Sequence, residues 1–213
     1  MKTNRNQLLQ ELKTSIMRGD TEGTAHLIEQ GLKNNLSSEE IMDHVLIPVS
    51  KRIAEKFRGS DFYIPDVLFA VRPIKTGLAV LKELSANTVR HPHKVVVATV
   101  AGDIHDIGKN LVAIFLQVNG YPVIDLGVDV PAEQIIQAVE EHQPAVIALS
   151  SLLTTTMGEM AKVIEMLEKN RLRRSVKVIV GGGPVSENFA EFIGADGYSP
   201  HAPDIINLVN KLI

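Results

Sequence analysis

The chain has 213 residues, 45% of them hydrophobic, and a formal net charge of −3. That length can form one large domain or two small ones, and the weak charge argues against a nucleic-acid-binding surface. Because the chain has no Cys, disulfides, thiolate metal sites, iron–sulfur clusters and Cys nucleophiles are excluded. The polar N-terminal segment does not resemble a signal peptide, and no apolar run approaches the roughly 18 residues of a membrane span. We therefore expect a soluble, cytoplasmic protein.

Residues 1–88 show only the helical spacing of apolar side chains. Ser37 and Glu40 form a capping box, which predicts that a helix begins at this point. Pro65 is well placed as the first residue of a fourth helix, and Pro73 is expected to kink that helix. Four helices with short connections predict a small bundle. The predicted helices cover residues 8–17, 21–32, 38–57 and 65–84.

Residues 94–213 instead show short β-branched apolar runs that alternate with helical segments. This alternation predicts a parallel sheet covered on both faces, and five strands fit the doubly wound, flavodoxin-like (Rossmann-type) order 2-1-3-4-5. A polar linker over 85–93 separates two predicted domains, 1–88 and 89–213. The predicted strands are 94–100, 122–128, 145–150, 176–182 and a weaker one near Gly197, and the predicted helices are 107–119, 131–142, 157–170, 184–193 and a last one from Pro203.

Unusual residues gather in three loops that follow predicted strands. In a doubly wound sheet, ligands bind beyond the carboxyl ends of the strands, at the point where the strand order reverses. The loops at that edge are 101–108 (AGDIHDIG), 150–156 (SSLLTTT) and 181–186 (GGGPVS). The sequence therefore predicts a ligand site formed by these loops.

His105 in the first loop has two interpretations. A histidine in a loop is often only solvated or caps a helix. Here Asp103 lies two residues earlier and can accept a hydrogen bond from one ring nitrogen, which leaves the other free as a base or metal ligand. A protein zinc site needs about three protein ligands, and the other loops offer no suitable set. A lone His therefore favours a metal whose other positions are filled by a macrocyclic cofactor.

The other two loops allow several interpretations. The glycines at 181–183 fit a tight turn, a phosphate cradle, or a slot through which a flat group passes close to the strand. Neither dinucleotide nor P-loop spacing is present, which weakens the nucleotide interpretations. The hydroxyl run at 150–156 also fits ordinary Ser/Thr turns and a helix cap.

Three motifs in these loops resemble a known signature, D-x-H-x-x-G, S-x-L and G-G. They are Asp103-x-His105-x-x-Gly108, Ser150-x-Leu152 and Gly181-Gly182, separated by residues 109–149 and 153–180. This pattern is similar to that of base-off, His-on cobalamin-binding domains. Residues 1–88 resemble the helical cap that precedes the cobalamin module in methionine synthase and in the corrinoid proteins of methyltransferase systems. The resemblance covers essentially the whole chain.

The resemblance implies a role for each matching residue. His105 would be the lower axial ligand of the cobalt of cobalamin. Asp103 would hydrogen-bond His105, and Thr156 would complete a proton relay, so Asp103 and Thr156 would have a catalytic role. The nucleotide tail of the cofactor would lie beside the sheet. The implied cofactor-binding residues are Asp103, His105, Asp106, Ile107, Gly108, Ser150, Leu152, Thr154, Gly181 and Gly182, with Tyr63 and Leu68, beside Phe62 and Ile64, in the cap over the methyl-bearing face.

The function that the resemblance implies is a methyl carrier, a non-catalytic subunit of a methyltransferase system. Its partners would be a substrate:corrinoid methyltransferase, a second methyltransferase that passes the methyl group to tetrahydrofolate or a thiol, and a corrinoid reductive activase, with no nucleic acid or membrane partner. The alternatives are a cobalamin-dependent sensor, the small subunit of a mutase, and a cofactor-free phosphate or nucleotide binder. The absence of Trp argues against the sensor, and the helical cap argues against the mutase subunit.

Overall fold

The computed structural model describes residues 5–58, 64–84 and 89–213. The chain divides into two compact units. The first contains Met1–Arg90 and Gln117–Gly120, and the second contains His91–Leu116 and Tyr121–Ile213. In the described ranges, no helix is long and apolar enough to cross a membrane.

The first unit is helical, as the apolar spacing predicts. Ser37 makes the predicted capping box: its hydroxyl accepts from the Glu40 N–H (3.2 Å), and the Glu40 carboxylate accepts from the Ser37 N–H (2.9 Å). Asp20 caps the second helix by accepting from the Gly23 N–H at 2.9 Å. The helices are α1 (Arg5–Met17), α2 (Thr21–Lys33), α3 (Ser38–Ile41), α4 (Ile47–Arg58) and α5 (Ile64–Leu84).

A π-helical turn over Met42–Leu46 interrupts the predicted third helix and separates α3 from α4. The Ile47 N–H donates to the Met42 carbonyl, five residues back. Pro48 follows immediately, and a proline cannot donate to the carbonyl four residues before it and clashes with that carbonyl. The wider turn accommodates the proline without ending the helical run. The helical spacing of the apolar residues does not reveal this consequence of Pro48.

The last helix of this unit, α5, begins one residue earlier than predicted and contains Pro73 in its interior. The helix nevertheless continues to Leu84, so this proline does not terminate it. Of the cap residues that the resemblance singles out, Leu68 is partly buried in α5. Phe62 and Tyr63 lie outside the described residues.

The second unit is a five-stranded, fully parallel sheet with the predicted order β2-β1-β3-β4-β5. The flavodoxin-like fold is therefore confirmed. Short β-branched runs form these strands, and all five residues of the central strand β1 are buried. The strands are β1 (Val95–Thr99), β2 (Val123–Asp125), β3 (Val146–Ser150), β4 (Lys177–Gly181) and β5 (Gly197–Ser199).

Helices follow the strands, and the core lies between them and the sheet. Val96, Ala98, Ile147, Leu149 and Val180 share one face of the sheet and belong to a buried apolar cluster. Residues of α7, α8 and α9 complete this cluster. The helices are α6 (Ile107–Val118), α7 (Ala132–His142), α8 (Met157–Lys169), α9 (Glu187–Ile193) and α10 (Ile205–Leu212), the last preceded by a 3-10 turn over Ala202–Asp204.

Strand β2 is shorter than predicted because its regular pairing with β1 ends at Asp125. The Asp125 carboxylate accepts from the Gly127 N–H at 2.9 Å, and Gly127 (φ +91°) and Asp129 (φ +53°) have left-handed backbones, which interrupt an extended strand. Contact with β1 nevertheless continues, since the Leu126 N–H donates to the Val97 carbonyl and the Thr99 N–H to the Gly127 carbonyl, both at 3.0 Å. Helix α9 also starts later than predicted, since the Ser186 hydroxyl caps it by accepting from the Phe189 N–H at 3.2 Å.

Candidate functional site

The register of the sheet brings the three predicted loops together at its carboxyl edge. Thr99 pairs with Ser150, Ser150 with Gly181, and Gly181 with Ser199, so the central strands end side by side. The histidine loop (residues 100–106), the hydroxyl loop (residues 151–156) and the glycine loop (residues 182–186) therefore start as neighbours. Parallel strands of matched length make this juxtaposition unavoidable.

The carboxylate of Asp103 is completely buried and receives hydrogen bonds from two loops. Its Oδ1 accepts from the backbone N–H of His105 at 3.0 Å and lies 2.7 Å from the Nδ1 of the same histidine. Its Oδ2 accepts from the N–H of Leu152 at 2.6 Å, from the N–H of Leu153 at 3.3 Å and from the Thr156 hydroxyl at 3.3 Å. Asp103 thus joins the histidine loop to the hydroxyl loop.

Burial by itself raises the pKa of the Asp103 carboxyl, since it disfavours the charged form. The hydrogen bonds from the backbone of His105, the backbone of Leu152, the His105 ring and the backbone of Leu153 together outweigh burial and lower this pKa from 3.8 to about 2. Asp103 is therefore an ionised acceptor at neutral pH.

An ionised Asp103 determines which nitrogen of His105 is available. The carboxylate accepts from Nδ1–H, so in the neutral imidazole the lone pair lies on Nε2. The side chain of His105 is 48% exposed, and the Thr99 hydroxyl holds its backbone by donating to the His105 carbonyl at 3.0 Å. The structure thus presents one oriented nitrogen donor at the edge of the sheet.

Among the described residues there is no group of three or more His, Cys, Asp or Glu side chains that could hold a metal ion. A metal bound at Nε2 of His105 would therefore have to bring most of its other ligands with it. That requirement matches the macrocyclic cofactor predicted from the sequence.

The loops around His105 also expose large apolar side chains. Leu152 is 49% exposed, although its backbone N–H is committed to Asp103. A flat apolar group would cover such side chains favourably. The exposed apolar residues of these loops and of the helix start that follows are Ile104, Ile107, Val128, Leu152 and Leu153.

The remaining predicted residues occupy different positions in these loops. Asp106 is exposed and accepts from the Asn110 side-chain amide at 2.9 Å across the first turn of α6. Thr154 is exposed in the hydroxyl loop, and a Cβ added to Gly108 would contact the Ser150 hydroxyl at 3.8 Å. Contact between these residues and a cofactor stays a prediction.

Ser151 is a member of this network that the motif analysis did not single out. It is completely buried, and its hydroxyl oxygen lies 2.8 Å from the Thr156 hydroxyl and 3.1 Å from the Leu153 carbonyl oxygen. The Thr156 N–H already donates to that carbonyl at 3.1 Å, so the carbonyl does not depend on either hydroxyl. Each hydroxyl has one hydrogen, so Ser151 can donate to Thr156 while Thr156 donates to Asp103.

A buried lysine also escaped the motif analysis. Lys109 in the first turn of α6 is 3% exposed, and its Nζ lies 2.7 Å from each carboxylate oxygen of Asp125. The Asn110 side-chain oxygen accepts its remaining hydrogen at 2.8 Å. This ion pair anchors the chain where it leaves β2. The only sequence signal was its place within the GDIHDIGKN stretch.

The glycines after β4 are required by the packing of the backbone. A Cβ on Gly181 would lie 2.8 Å from the Ser199 carbonyl oxygen, and one on Gly182 only 1.9 Å from the Ser151 carbonyl oxygen. Gly182 also has φ +129°, which L-residues rarely adopt. Close backbone approach therefore explains both glycines, and a channel for a cofactor tail remains a prediction.

Gly182→Ala should destabilise the domain by roughly 2 kcal/mol or more, because the new methyl group would collide with the Ser151 carbonyl and the backbone would be strained. The control is Gly183→Ala, whose Cβ would meet only the Leu152 Cδ1 at 3.1 Å. Urea unfolding of both variants measures the difference. Equal losses of unfolding free energy would contradict this explanation of Gly182.

Comparison with known proteins decides the family. Two family models, both described as a B12 binding domain, match residues 93–206 and residues 8–82. The chain belongs to the B12-binding corrinoid proteins. The predicted cofactor, cobalamin or a related corrinoid, is thereby confirmed, and the single imidazole donor and the apolar loops described above fit this group.

Relatives in this corrinoid family match over nearly their whole length. A corrinoid protein of Desulfitobacterium hafniense is 37% identical over 210 residues, 97% of each chain. Trimethylamine corrinoid protein 1 of Methanosarcina acetivorans is 33% identical over 210 residues, again 97% of each chain. These matches confirm the predicted resemblance to the corrinoid proteins of methyltransferase systems.

Two solved structures share the fold of this corrinoid protein. A cobalamin-binding protein from Desulfitobacterium hafniense aligns with TM-score 0.75 and 28% identity, covering 99% of each chain. A chain of the methanol:cobalamin methyltransferase complex from Methanosarcina barkeri aligns with TM-score 0.80 and 27% identity, covering 98% of this chain and 80% of that one. The similarity therefore extends over both units.

Proposed function

We propose that this corrinoid protein carries a methyl group between two methyltransferases. The bound corrinoid supplies the cobalt atom on which the methyl group travels. The observation that carries the proposal is the oriented Nε2 of His105 within a chain whose full-length relatives are named as trimethylamine and dimethylamine corrinoid proteins. The sensor hypothesis has no comparable support among these relatives.

In this proposal His105 would hold the cobalt of the corrinoid through Nε2. Asp103 accepts from the Nδ1–H of the same ring, and Thr156 donates to the other oxygen of Asp103. An anionic partner at Nδ1 would make Nε2 a stronger donor and would stabilise the imidazolium if Nε2 took up a proton. Asp103 and Thr156 would therefore set the basicity of the His105 ring.

The other predicted site residues would contact either the edge of the corrinoid ring or its nucleotide tail. The exposed apolar side chains near His105 would face the ring, and the hydroxyl and glycine loops would receive the nucleotide tail. Residues 1–88 would form the helical cap domain and residues 89–213 the cobalamin-binding domain. The residues assigned to the edge are Asp106, Ile107, Gly108 and Leu152, those assigned to the tail are Ser150, Thr154, Gly181 and Gly182, and those assigned to the cap are Tyr63 and Leu68.

The proposed partners follow from this role. The similar chain from Methanosarcina barkeri belongs to a methanol:cobalamin methyltransferase complex, which supports a substrate-specific methyltransferase as the first partner. The names of the relatives favour a small methylated amine or alcohol as methyl donor. A second methyltransferase acting on tetrahydrofolate or a thiol, a corrinoid reductive activase and a cytoplasmic location complete the proposal.

The test begins with the purified full-length protein and cobalamin. We expect tight binding with the absorption spectrum of a base-off, His-on form, because Nε2 of His105 replaces the cofactor's own base. Methyl transfer from trimethylamine, dimethylamine or methanol is then assayed by following the spectrum of the loaded protein with each cognate methyltransferase. Binding in the base-on form, or failure with every methylated donor, would contradict the carrier function.

A further inference from the structure

Asp129 has an unusual backbone for a residue with a side chain. Its φ of +53° lies in the left-handed region, which is unfavourable by about 1 kcal/mol for an L-residue, though Asp tolerates it better than most. Glycine would adopt this conformation without strain. The Asp129 carboxylate, however, accepts a hydrogen bond from the histidine loop that glycine could not make.

The contacts of Asp129 all lead to the histidine loop. Its N–H donates to the Asp103 carbonyl at 2.9 Å, and its Oδ1 accepts from the Gly102 N–H at 2.6 Å. The next residue, Val130, donates to the Thr99 carbonyl at 3.0 Å. Asp129 therefore holds both polar ends of the Gly102–Asp103 dipeptide.

Asp103 is consequently fixed from two directions. The hydroxyl loop binds its carboxylate through Leu152, Leu153 and Thr156, whereas Asp129 binds its backbone. Gly102 is also left-handed, with φ +77°, so the turn that carries Asp103 has no regular secondary structure of its own. Without the Asp129 carboxylate, the Gly102 N–H would lose its acceptor, and only the Asp129 N–H would still hold this side of the turn.

We propose that Asp129 is a positioning residue for cobalt ligation, whose carboxylate aims His105 by holding the Gly102 N–H beside Asp103. The inference rests on the proposed role of His105 as the cobalt ligand. Loss of this hydrogen bond should loosen the Asp103 carboxylate and hence the direction of Nε2. Partners of this kind, one step removed from a metal ligand, typically change metal affinity by 10–100-fold, and we expect about tenfold for a contact to backbone.

Asp129→Gly separates this role from a merely structural one. Glycine removes the Oδ1 acceptor and relieves the strain together, so we expect little change in the thermal midpoint but weaker ligation. Asp129→Asn keeps an acceptor oxygen and tolerates the left-handed backbone, and should retain most of the ligation. The matched control is Gln143→Gly, which relieves a similar strain (φ +48°) at the end of α7.

The readouts are the dissociation constant for cobalamin and the EPR spectrum of its Co(II) form in protein containing histidine labelled with the heavy nitrogen isotope. The label turns a nitrogen triplet from a protein histidine into a doublet, so the His-ligated fraction is measured directly. We expect Asp129→Gly to raise the dissociation constant about tenfold and to lower this fraction, with Asp129→Asn and Gln143→Gly within about twofold of wild type.

Two results would overturn the inference: Asp129→Gly with wild-type ligation, or equal losses in Asp129→Gly and Gln143→Gly. His105→Ala in the same series separates this failure from failure of the proposed function. If His105→Ala abolishes the labelled splitting and Asp129→Gly does not weaken it, only the positioning role is wrong. If His105→Ala leaves the splitting unchanged, the ligand assignment itself is wrong.

Discussion

His105→Ala should leave the cobalamin-binding unit folded but remove the protein nitrogen from the cobalt. The side chain lies on a loop and is 48% exposed, so it contributes little buried area to the core. Asp103 would still accept from the backbone N–H groups of His105, Leu152 and Leu153 through the same atoms. The expected result is a wild-type circular dichroism spectrum with loss of histidine-derived splitting in the Co(II) EPR spectrum.

The control for this substitution is His201→Ala. His201 lies in the loop after β5, at the same carboxyl edge of the sheet, but no motif includes it. We expect His201→Ala to keep the splitting. If the Co(II) EPR spectrum of His105→Ala still showed splitting from a protein nitrogen, His201 would be the next candidate ligand. If the splitting came from the cofactor's own base, the protein would be a base-on binder. Either outcome would contradict the assigned ligand.

Asp103→Asn should combine a large loss of stability with altered cobalt chemistry. Donors from His105, Leu152, Leu153 and Thr156 converge on this fully buried carboxylate, and an amide has only one acceptor oxygen. Either orientation of the Asn side chain sets its NH2 group against backbone N–H donors. We expect a loss of roughly 2–3 kcal/mol in the free energy of unfolding of the cofactor-free protein.

The matched control for Asp103→Asn is Asp106→Asn. Asp106 belongs to the same motif but is exposed before α6, where Asn caps a helix about as well as Asp. We expect its unfolding free energy to stay within about 0.5 kcal/mol of wild type. In the cobalamin-loaded protein, Asp103→Asn should also shift the midpoint potential of cobalt reduction, because the partner of the His105 ring is no longer anionic. Equal stability losses in the two variants would contradict the special role of Asp103.

The loss of folding stability at low pH, the acid limb of the stability curve, tests the role of the Asp103 carboxylate in the cofactor-free protein. The folded-state pKa of Asp103, about 2, lies below the ordinary value of 3.8, so the unfolded chain takes up the proton first as pH falls. The stabilisation, on the order of 2 kcal/mol, is fully present above about pH 5 and is lost as pH falls toward 2. Asp103→Asn should lack this component and show a shallower acid limb. If the stability of Asp103→Asn fell with pH as steeply as that of the wild type, groups other than Asp103 would control the acid denaturation.

Much of the molecule could be predicted because its signals are local. The β-branched runs of β1 and β3 and the capping box at Ser37 depend on neighbours in the sequence. The right-handedness of parallel crossovers then leaves few arrangements of five strands, and the order 2-1-3-4-5 followed. Since this order also determines which strand ends meet, the three loops of the site could be named in advance.

Local signals were insufficient where a backbone constraint decided the structure. The π turn follows from Pro48, which the helical spacing of its apolar neighbours concealed. At Gly182 a cofactor channel and a tight backbone contact predict the same residue, and the 1.9 Å distance from its Cβ position to the Ser151 oxygen shows that the backbone contact alone already requires glycine. In both cases the deciding partner was an atom of the main chain, which leaves no pattern in the sequence.

The sequence by itself determined the fold and the pairing of Asp103 with His105, because periodicity and a two-residue spacing suffice for these, whereas the cofactor class came from the resemblance of three loop motifs to a known family. Only the tertiary structure decided that Ser151 rather than Ser150 reaches Thr156, that Lys109 pairs with Asp125, and that Asp129 clamps the histidine loop. These contacts join residues that lie on different loops. Which side chains face each other there depends on strand register and on left-handed residues at the strand ends, and these are decided by packing of the whole domain.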